Sequence, residues 1–175
     1  KPKEIWRDEN GNEYLFKPVK PHEHFMAYAE VLGGQISRIV NPAGPEIFPM
    51  TLNGRFGSLQ SFIPATGTIR ELKLDIEDLT ANQIGTIQRE HVVDWLISNH
   101  DGHADQFLVM GDGSVVGIDK GQAYKFLGRD QLDGKFWPNE FEPLYNKLWE
   151  AYSKGGLKKY KSEIQKDEVA QVEGL

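Results

Sequence analysis

Cysteine is absent from all 175 residues. That excludes disulfides and thiolate nucleophiles, and it leaves any metal to oxygen and nitrogen ligands. Positive charge is in deficit: 20 Lys and Arg stand against 26 Asp and Glu, for a net charge of −6. A chain of that sign has no general attraction to nucleic acid or to an anionic membrane. The one local basic stretch is "KGGLKKYK" (154–161). No apolar run approaches the roughly 20 residues that a membrane helix needs. No signal-peptide pattern, internal repeat or low-complexity segment is visible. The expected location is therefore intracellular or cytoplasmic, with an exported effector or toxin domain as the other placement. The sequence starts at Lys1 rather than Met, so we expect it to be part of a longer chain. What is present is ample for a core: 39% hydrophobic and 11% aromatic residues, in a length that suits one domain or two small lobes.

The opening "KEIWRDENGNEYLFKP" predicts a β-hairpin about Asn10-Gly11, the strongest short turn signal. Pro18 and Pro21 then end the strand. Residues 22–40 have helical spacing, with Phe25, Ala29, Leu32, Ile36 and Ile39 on one side and Gly33-Gly34 weakening or dividing the middle. "NPAGPEIFP" reads as a loop, "GSLQSFIP" (57–64) as a short strand, and the "PATG" neighbourhood as a lobe boundary. Residues 80–99 predict a helix capped by Thr80, with Ile84, Ile87, His91, Val92, Trp95 and Leu96 as its apolar stripe. "QFLVM" and "VVGID" follow as strands joined by an Asp-Gly turn at Asp112. A second amphipathic helix is expected over 138–152, facing in through Phe141, Leu144, Tyr145, Leu148 and Trp149. The charged tail from residue 161 reads as a helix or as frayed chain. The fold class is α+β.

"ISNHDGHADQFLV" (97–109) is the densest polar cluster, set between a helix and a hairpin. The hairpin's second strand ends in "GIDKG", so folding brings Asp119 toward Asp101. Two carboxylates at strand ends suit Mg²⁺, which takes few protein oxygens and keeps other positions for water and phosphate. Phosphoryl transfer asks for a carboxylate near the acceptor hydroxyl and a metal ligand five residues later. It also asks for a second metal-binding Asp on a following strand, and for a Lys on an N-terminal strand paired with a helix Glu. The chain offers Asp101, Gln106, Asp119 and Lys17 in those places, with Glu23 or Glu30 as the Lys partner.

With those residues in view, "NHDGHADQFLV…GIDKGQAYKF" resembles the catalytic segment of the atypical kinases, the phosphatidylinositol 3- and 4-kinase-like proteins and the HipA-type toxin kinases. Asn99, Asp101 and His103 match their N-x-D-x-H. "YLFKP" and the helix after it resemble their nucleotide-Lys strand and helix, and "GSLQSFIP" resembles their interlobe strand. The resemblance implies a small two-lobed kinase-like fold, with a β-rich N-lobe (1–64) and a mainly helical C-lobe (65–175) carrying a catalytic-loop hairpin. It implies ATP and Mg²⁺ as cofactors. Asp101, His103 and Asn99 become the catalytic set, Lys17, Glu23 and Gln60 the nucleotide contacts, and Gln106 and Asp119 the metal ligands. The acceptor would be a protein or an inositol-containing small molecule, and the rest of a longer parent chain a further partner. Two departures stand out. Gln106 occupies the place of an Asn, with Asp105 as the other possible ligand. No glycine-rich loop precedes "EIWR", so a phosphate-covering hairpin lies upstream or is replaced by the Asn10-Gly11 turn.

Plainer readings stand beside these. Lys17 can be a solvated strand-end lysine, Glu23 a helix-start acid favoured by the dipole, Asn99 a helix cap, His91 a core residue and Asp112 only a turn former. His103 suits bracing the loop better than acting itself. Two other functions remain open: a nucleotide-binding pseudokinase scaffold, and a metal-dependent hydrolase using His100, Asp101, His103 and Asp105, with His91 as a further ligand.

Overall fold

The computed structural model describes residues 2–124 and 142–157. These form a mixed α+β structure of two small antiparallel sheets and three helices.

The first sheet has the order β1-β2-β4-β3. β1 (Glu4–Arg7) and β2 (Glu13–Pro18) make the expected hairpin. Gly11 takes the left-handed conformation at φ 83°. The Asp8 carboxylate accepts from the backbone N–H of Asn10 and of Asn12 at 2.9 and 2.8 Å, and the Gly11 N–H bonds the Asp8 carbonyl. These turn amides are thus committed within the hairpin. β2 pairs with β4 (Arg55–Ser61), Lys17 lying opposite Ser58. The fourth strand corrects the sequence reading. The end of the expected loop, residues 47–49, opens β3 (Ile47–Leu52), paired with β4 despite Pro49. β3 lies at the sheet edge, where a residue without an N–H costs no ladder bond.

α1 (His24–Val40) runs unbroken through Gly33-Gly34. Its buried face only partly matches the expected one: Ala29 is buried and Ile36 half-buried, but Phe25, Leu32 and Ile39 are 63%, 50% and 80% exposed, while Ala27, Glu30, Val31, Gly33 and Ser37 are buried. Close approach explains the difference. A Cβ built on Gly34 would stand 2.7 Å from Ile47 Cγ2, so α1 seats small residues against β3.

The chain passes to the second sheet between Ser61 and Ala65. That sheet has the order β5-β6-β7, from β5 (Ala65–Thr68), β6 (Phe107–Met110) and β7 (Val115–Gly117). β5 is a second correction, since its "ATGT" reads as boundary but pairs with β6 across an irregular register. Asp112 is a turn former, its carboxylate accepting from the Ser114 N–H and hydroxyl.

α2 (Ala81–Leu96) starts at the expected Thr80, whose hydroxyl accepts the Gln83 N–H while the Gln83 side chain accepts the Thr80 N–H. That reciprocal pair satisfies two of the helix's unpaired donors. Trp95 and Leu96, expected in its apolar stripe, are exposed instead, and the helix buries Gln88, Glu90 and Asp94 beside Ile84, Ile87 and Val93. α3 (Leu144–Ser153) buries Leu144 and Leu148, with Tyr145 half-buried and Trp149 exposed. Phe141, the second half of the basic stretch (158–161) and the tail from residue 161 lie outside the described residues. The main core gathers Ile69, Leu79, Ile87, Phe107, Val109 and Leu148 under the second sheet. A smaller cluster of Ala29, Val93, Ile97 and Ala123 joins α1 to α2. Among the described residues no helix is long and apolar enough to cross a membrane.

Candidate functional site

Strand alternation puts Lys17 on the same face of the first sheet as its opposite, Ser58, toward α1. There its ammonium pairs with the Glu30 carboxylate and lies 3.4 Å from Asp119 Oδ2. The second oxygen of Glu30 accepts from the Ser58 hydroxyl at 2.9 Å. Glu30 is therefore the partner of Lys17, and the preference for Glu23 is corrected. Glu23 closes the 3-10 turn Pro21–Glu23, where its carboxylate accepts from the Lys20 N–H at 3.5 Å. It sits at the start of the helix, whereas Glu30 lies two turns further in and faces the strand.

Charge overcomes burial here. Burial alone would lower the Lys17 pKa, but the Glu30 and Asp119 carboxylates hold it above the usual lysine value. Burial would likewise raise Asp119, yet Lys17 and Lys3 bring it below the usual aspartate value. Asp119 is also in the left-handed region, at φ 58°. Asp enters that region more readily than most non-glycine residues, for which it costs on the order of 1–2 kcal/mol.

The loop between α2 and β6 carries the other residues. Its Gly102 carbonyl accepts the Leu144 N–H at 2.9 Å, which fixes the loop to the start of α3. His103 is buried, with Nδ1 accepting the Asp105 N–H at 3.3 Å and Nε2 lying 3.4 Å from Asp101 Oδ1. Gln106 Nε2 donates to Asp101 Oδ2 at 3.2 Å. The Gln106 carbonyl accepts the Ile118 N–H at 2.8 Å, so Gln106 stands across the hairpin from the residue before Asp119. Asp105 turns away, toward the Thr68 hydroxyl at 3.1 Å and Arg70 at 3.0 Å. Asn99 is buried and its amide donates to Asp94 Oδ1 at 2.9 Å. Gln60 is buried on β4, two residues from Ser58 and so on the face toward α1. It borders a cavity with Glu30, Ser37, Ile47, Ile118 and Asp119 that holds about 290 Å³ of space, part of it open to solvent. The remaining histidine of interest, His91, stacks on Tyr145, with ring centroids 3.8 Å apart.

Three important residues escape the sequence reading. Lys120 is buried, its Nζ 2.6 Å from Asp94 Oδ1 and 2.8 Å from Glu90 Oε2. Glu90 Oε1 accepts from the Ser37 hydroxyl and the Asn41 amide, both at 2.8 Å. Burial would lower Lys120, and the two carboxylates lift it above the usual lysine value. The available signal was Glu90 and Asp94 one helical turn apart, interleaved with the buried Ile87 and Val93.

The arrangement sets one clamped ammonium, one carboxylate beside it and a carboxylate–imidazole–amide cluster on facing elements. Such groups can neutralise a polyanion, hold a hard cation through oxygen and orient a hydroxyl. The sequence matches no protein-family model and no curated protein.

Proposed function

We propose that this chain is a two-lobed kinase-like domain that passes the γ-phosphoryl group of ATP to a hydroxyl of a protein, an inositol phosphate or a phosphoinositide. The first sheet with α1 serves as the N-lobe, and residues 65–124 and 142–157 as the described part of the C-lobe. The observation that carries the reading is the meeting of Lys17, Glu30 and Asp119 from three separate elements. A strand lysine clamped by a helix glutamate, with an aspartate after a later strand beside it, is the arrangement phosphoryl transfer asks for.

The donor set fits the cofactor. Asp119 and the Gln106 carboxamide supply oxygen ligands of the kind Mg²⁺ prefers, and Lys17 supplies the cation for phosphate. When bound, Mg-ATP supplies the phosphoryl group and the divalent charge that offsets its negative oxygens. Glu30 fixes the Lys17 ammonium, and Ser58 fixes Glu30. Asp101 orients the acceptor hydroxyl and takes its proton on a carboxylate oxygen late in transfer. His103 and Gln106 hold the Asp101 carboxylate in place. Asn99 ties the loop to α2 through Asp94. Positioning and charge neutralisation make up most of this contribution.

Mg-ATP should raise the melting temperature of the chain, because a ligand that binds only the folded state stabilises it by mass action. Asp119→Ala should remove that shift and leave the apo fold intact. A shift with Zn²⁺ alone, and none with Mg-ATP, overturns the reading in favour of a metal-dependent hydrolase. A nucleotide-binding scaffold without turnover is the second reading, favoured by the engagement of the Gln106 amide with Asp101. A Mg-ATP shift without phosphoryl transfer to any acceptor or water decides for it.

A further inference from the structure

We propose that Lys120 is the positioning residue that holds Asp119 in its left-handed conformation and thereby sets the metal-binding carboxylate against Lys17. For its consequence, this rests on the kinase-like reading above.

Asp119 takes the left-handed conformation, which Asp enters more readily than most residues but which fixes where its carboxylate points, so the contacts beside it decide its placement. The Gly121 N–H bonds its carboxylate, but that contact is local and moves with the segment. Lys120 is different, because it is anchored from outside. Its ammonium is gripped by Glu90 and Asp94 on α2 at 2.8 and 2.6 Å. Its stem meets α1 where there is no room for a side chain: a Cβ on Gly33 would stand 2.7 Å from Lys120 Cβ. The Lys120 carbonyl also accepts the Ala123 N–H, which closes the turn after it. One residue is thus clamped between the two helices, immediately beside the residue whose conformation needs explaining.

The acids that grip it are themselves built in. Gly117 leaves space for Glu90, whose carboxyl carbon would lie 2.4 Å from a Cβ there. Gly102 does the same for Asp94, with Oδ2 at 2.6 Å. Asp94 also holds Asn99 and Glu90 holds Ser37 and Asn41. The clamp therefore reaches α1, α2, the end of β7 and the catalytic loop at once. A buried lysine serving only solubility or general surface charge would have none of these contacts.

The test removes the clamp without stranding charge. The triple variant Lys120→Met, Glu90→Gln, Asp94→Asn is neutral throughout, and Gly33→Ala disturbs the same contact from α1 by sterics alone. Backbone hydrogen exchange in the apo chain reads the positioning directly. In both variants, exchange over 119–123 should be about tenfold faster or more, while the main core around Ile87 and Leu148 keeps its protection. Calorimetry with Mg-ATP, and with ATP in EDTA, reads the consequence. The Mg²⁺-dependent part of the affinity should fall about 10- to 100-fold and the metal-free part should stay within about twofold, as expected when the support of a metal ligand is lost. Unchanged exchange over 119–123 in either folded variant overturns the proposal. So does faster exchange with the Mg²⁺ increment intact. If wild type binds no nucleotide while exchange rises as expected, the kinase-like reading fails and the positioning by Lys120 stands.

Discussion

Asp105 and Gln106 are neighbours in sequence with opposite commitments. Asp105 turns to β5, where Thr68 and Arg70 hold it, and Gln106 reaches back to Asp101 beside the strand that leads to Asp119. On the kinase-like reading proposed above, this geometry favours Gln106 over Asp105 for the metal role. Gln106→Leu keeps the bulk and removes the oxygen, so the Mg²⁺ concentration for half-maximal activity should rise about tenfold or more. Asp105→Ala should leave that concentration unchanged and cost roughly 1 kcal/mol of stability, the scale of one partly exposed hydrogen bond and ion pair. Activity against Mg²⁺ for the two variants, with urea midpoints, decides it. An Asp105→Ala variant with the raised Mg²⁺ requirement and a silent Gln106→Leu would transfer the role to Asp105.

Elements were legible in proportion to how local their determinants are. The Asn10-Gly11 hairpin, the Thr80 cap and the Asp112 turn depend on residues a few positions apart, and all three form as expected. β3 and β5 were missed because only their partners β4 and β6 make them strands. The face of α1 is only partly legible, at Ala29 and Ile36, because apolar spacing does not register close approach and the glycines that allow it look like breaks. The same blindness left Glu30 as one of two candidates, since one-dimensional order cannot choose between Glu23 just before the helix and Glu30 within it. Lys17, Asp101 and Asp119 were legible as types at a spacing, but the acids that anchor Lys120 were hidden behind the search for an apolar stripe. His91 shows the reverse case. Read as core, it packs α2 on α3 by stacking on Tyr145, and burial lowers its pKa to about 4. The unfolded chain binds a proton near pH 6.5, so between there and pH 4 it holds more protons than the folded chain. Stability carried by neutral His91 is therefore complete above about pH 6.5 and is lost as pH falls toward 4, by at most about 3 kcal/mol. His91→Phe keeps the stack and should flatten the fall in urea midpoint across that window. An equal fall in the variant would show that His91 is not the group responsible.

At the scale of the whole molecule, the described residues that join the two sheets form a seam rich in buried charge. Among the described residues its hydrophobic part is Ala29, Val93, Ile97 and Ala123, with Ile36 and Tyr124 packed against them. The rest is Lys17 with Glu30 and Asp119, then Lys120 with Asp94 and Glu90, then Glu90 with Ser37 and Asn41. Buried ions of this kind add little net stability against apolar replacements, but removing one partner strands the others at a cost of about 3–5 kcal/mol. The seam therefore makes correct apposition a condition of stability for both sheets. Glu90→Ala should show this, since it takes one carboxylate from Lys120 and the shared acceptor from Ser37 and Asn41. Variants retaining Trp6 alone on β1, or Trp149 alone on α3, report the two sides separately. In the wild-type background the two urea transitions should coincide, as they do for a single cooperative unit. With Glu90→Ala they should separate, the Trp6 side melting first, because its sheet lacks the larger core gathered around Ile87 and Leu148. Coincident transitions in the variant would mean that the apolar cluster alone couples the halves. The buried ions would then serve the placement of Asp119 and Asp101 and not the unity of the fold.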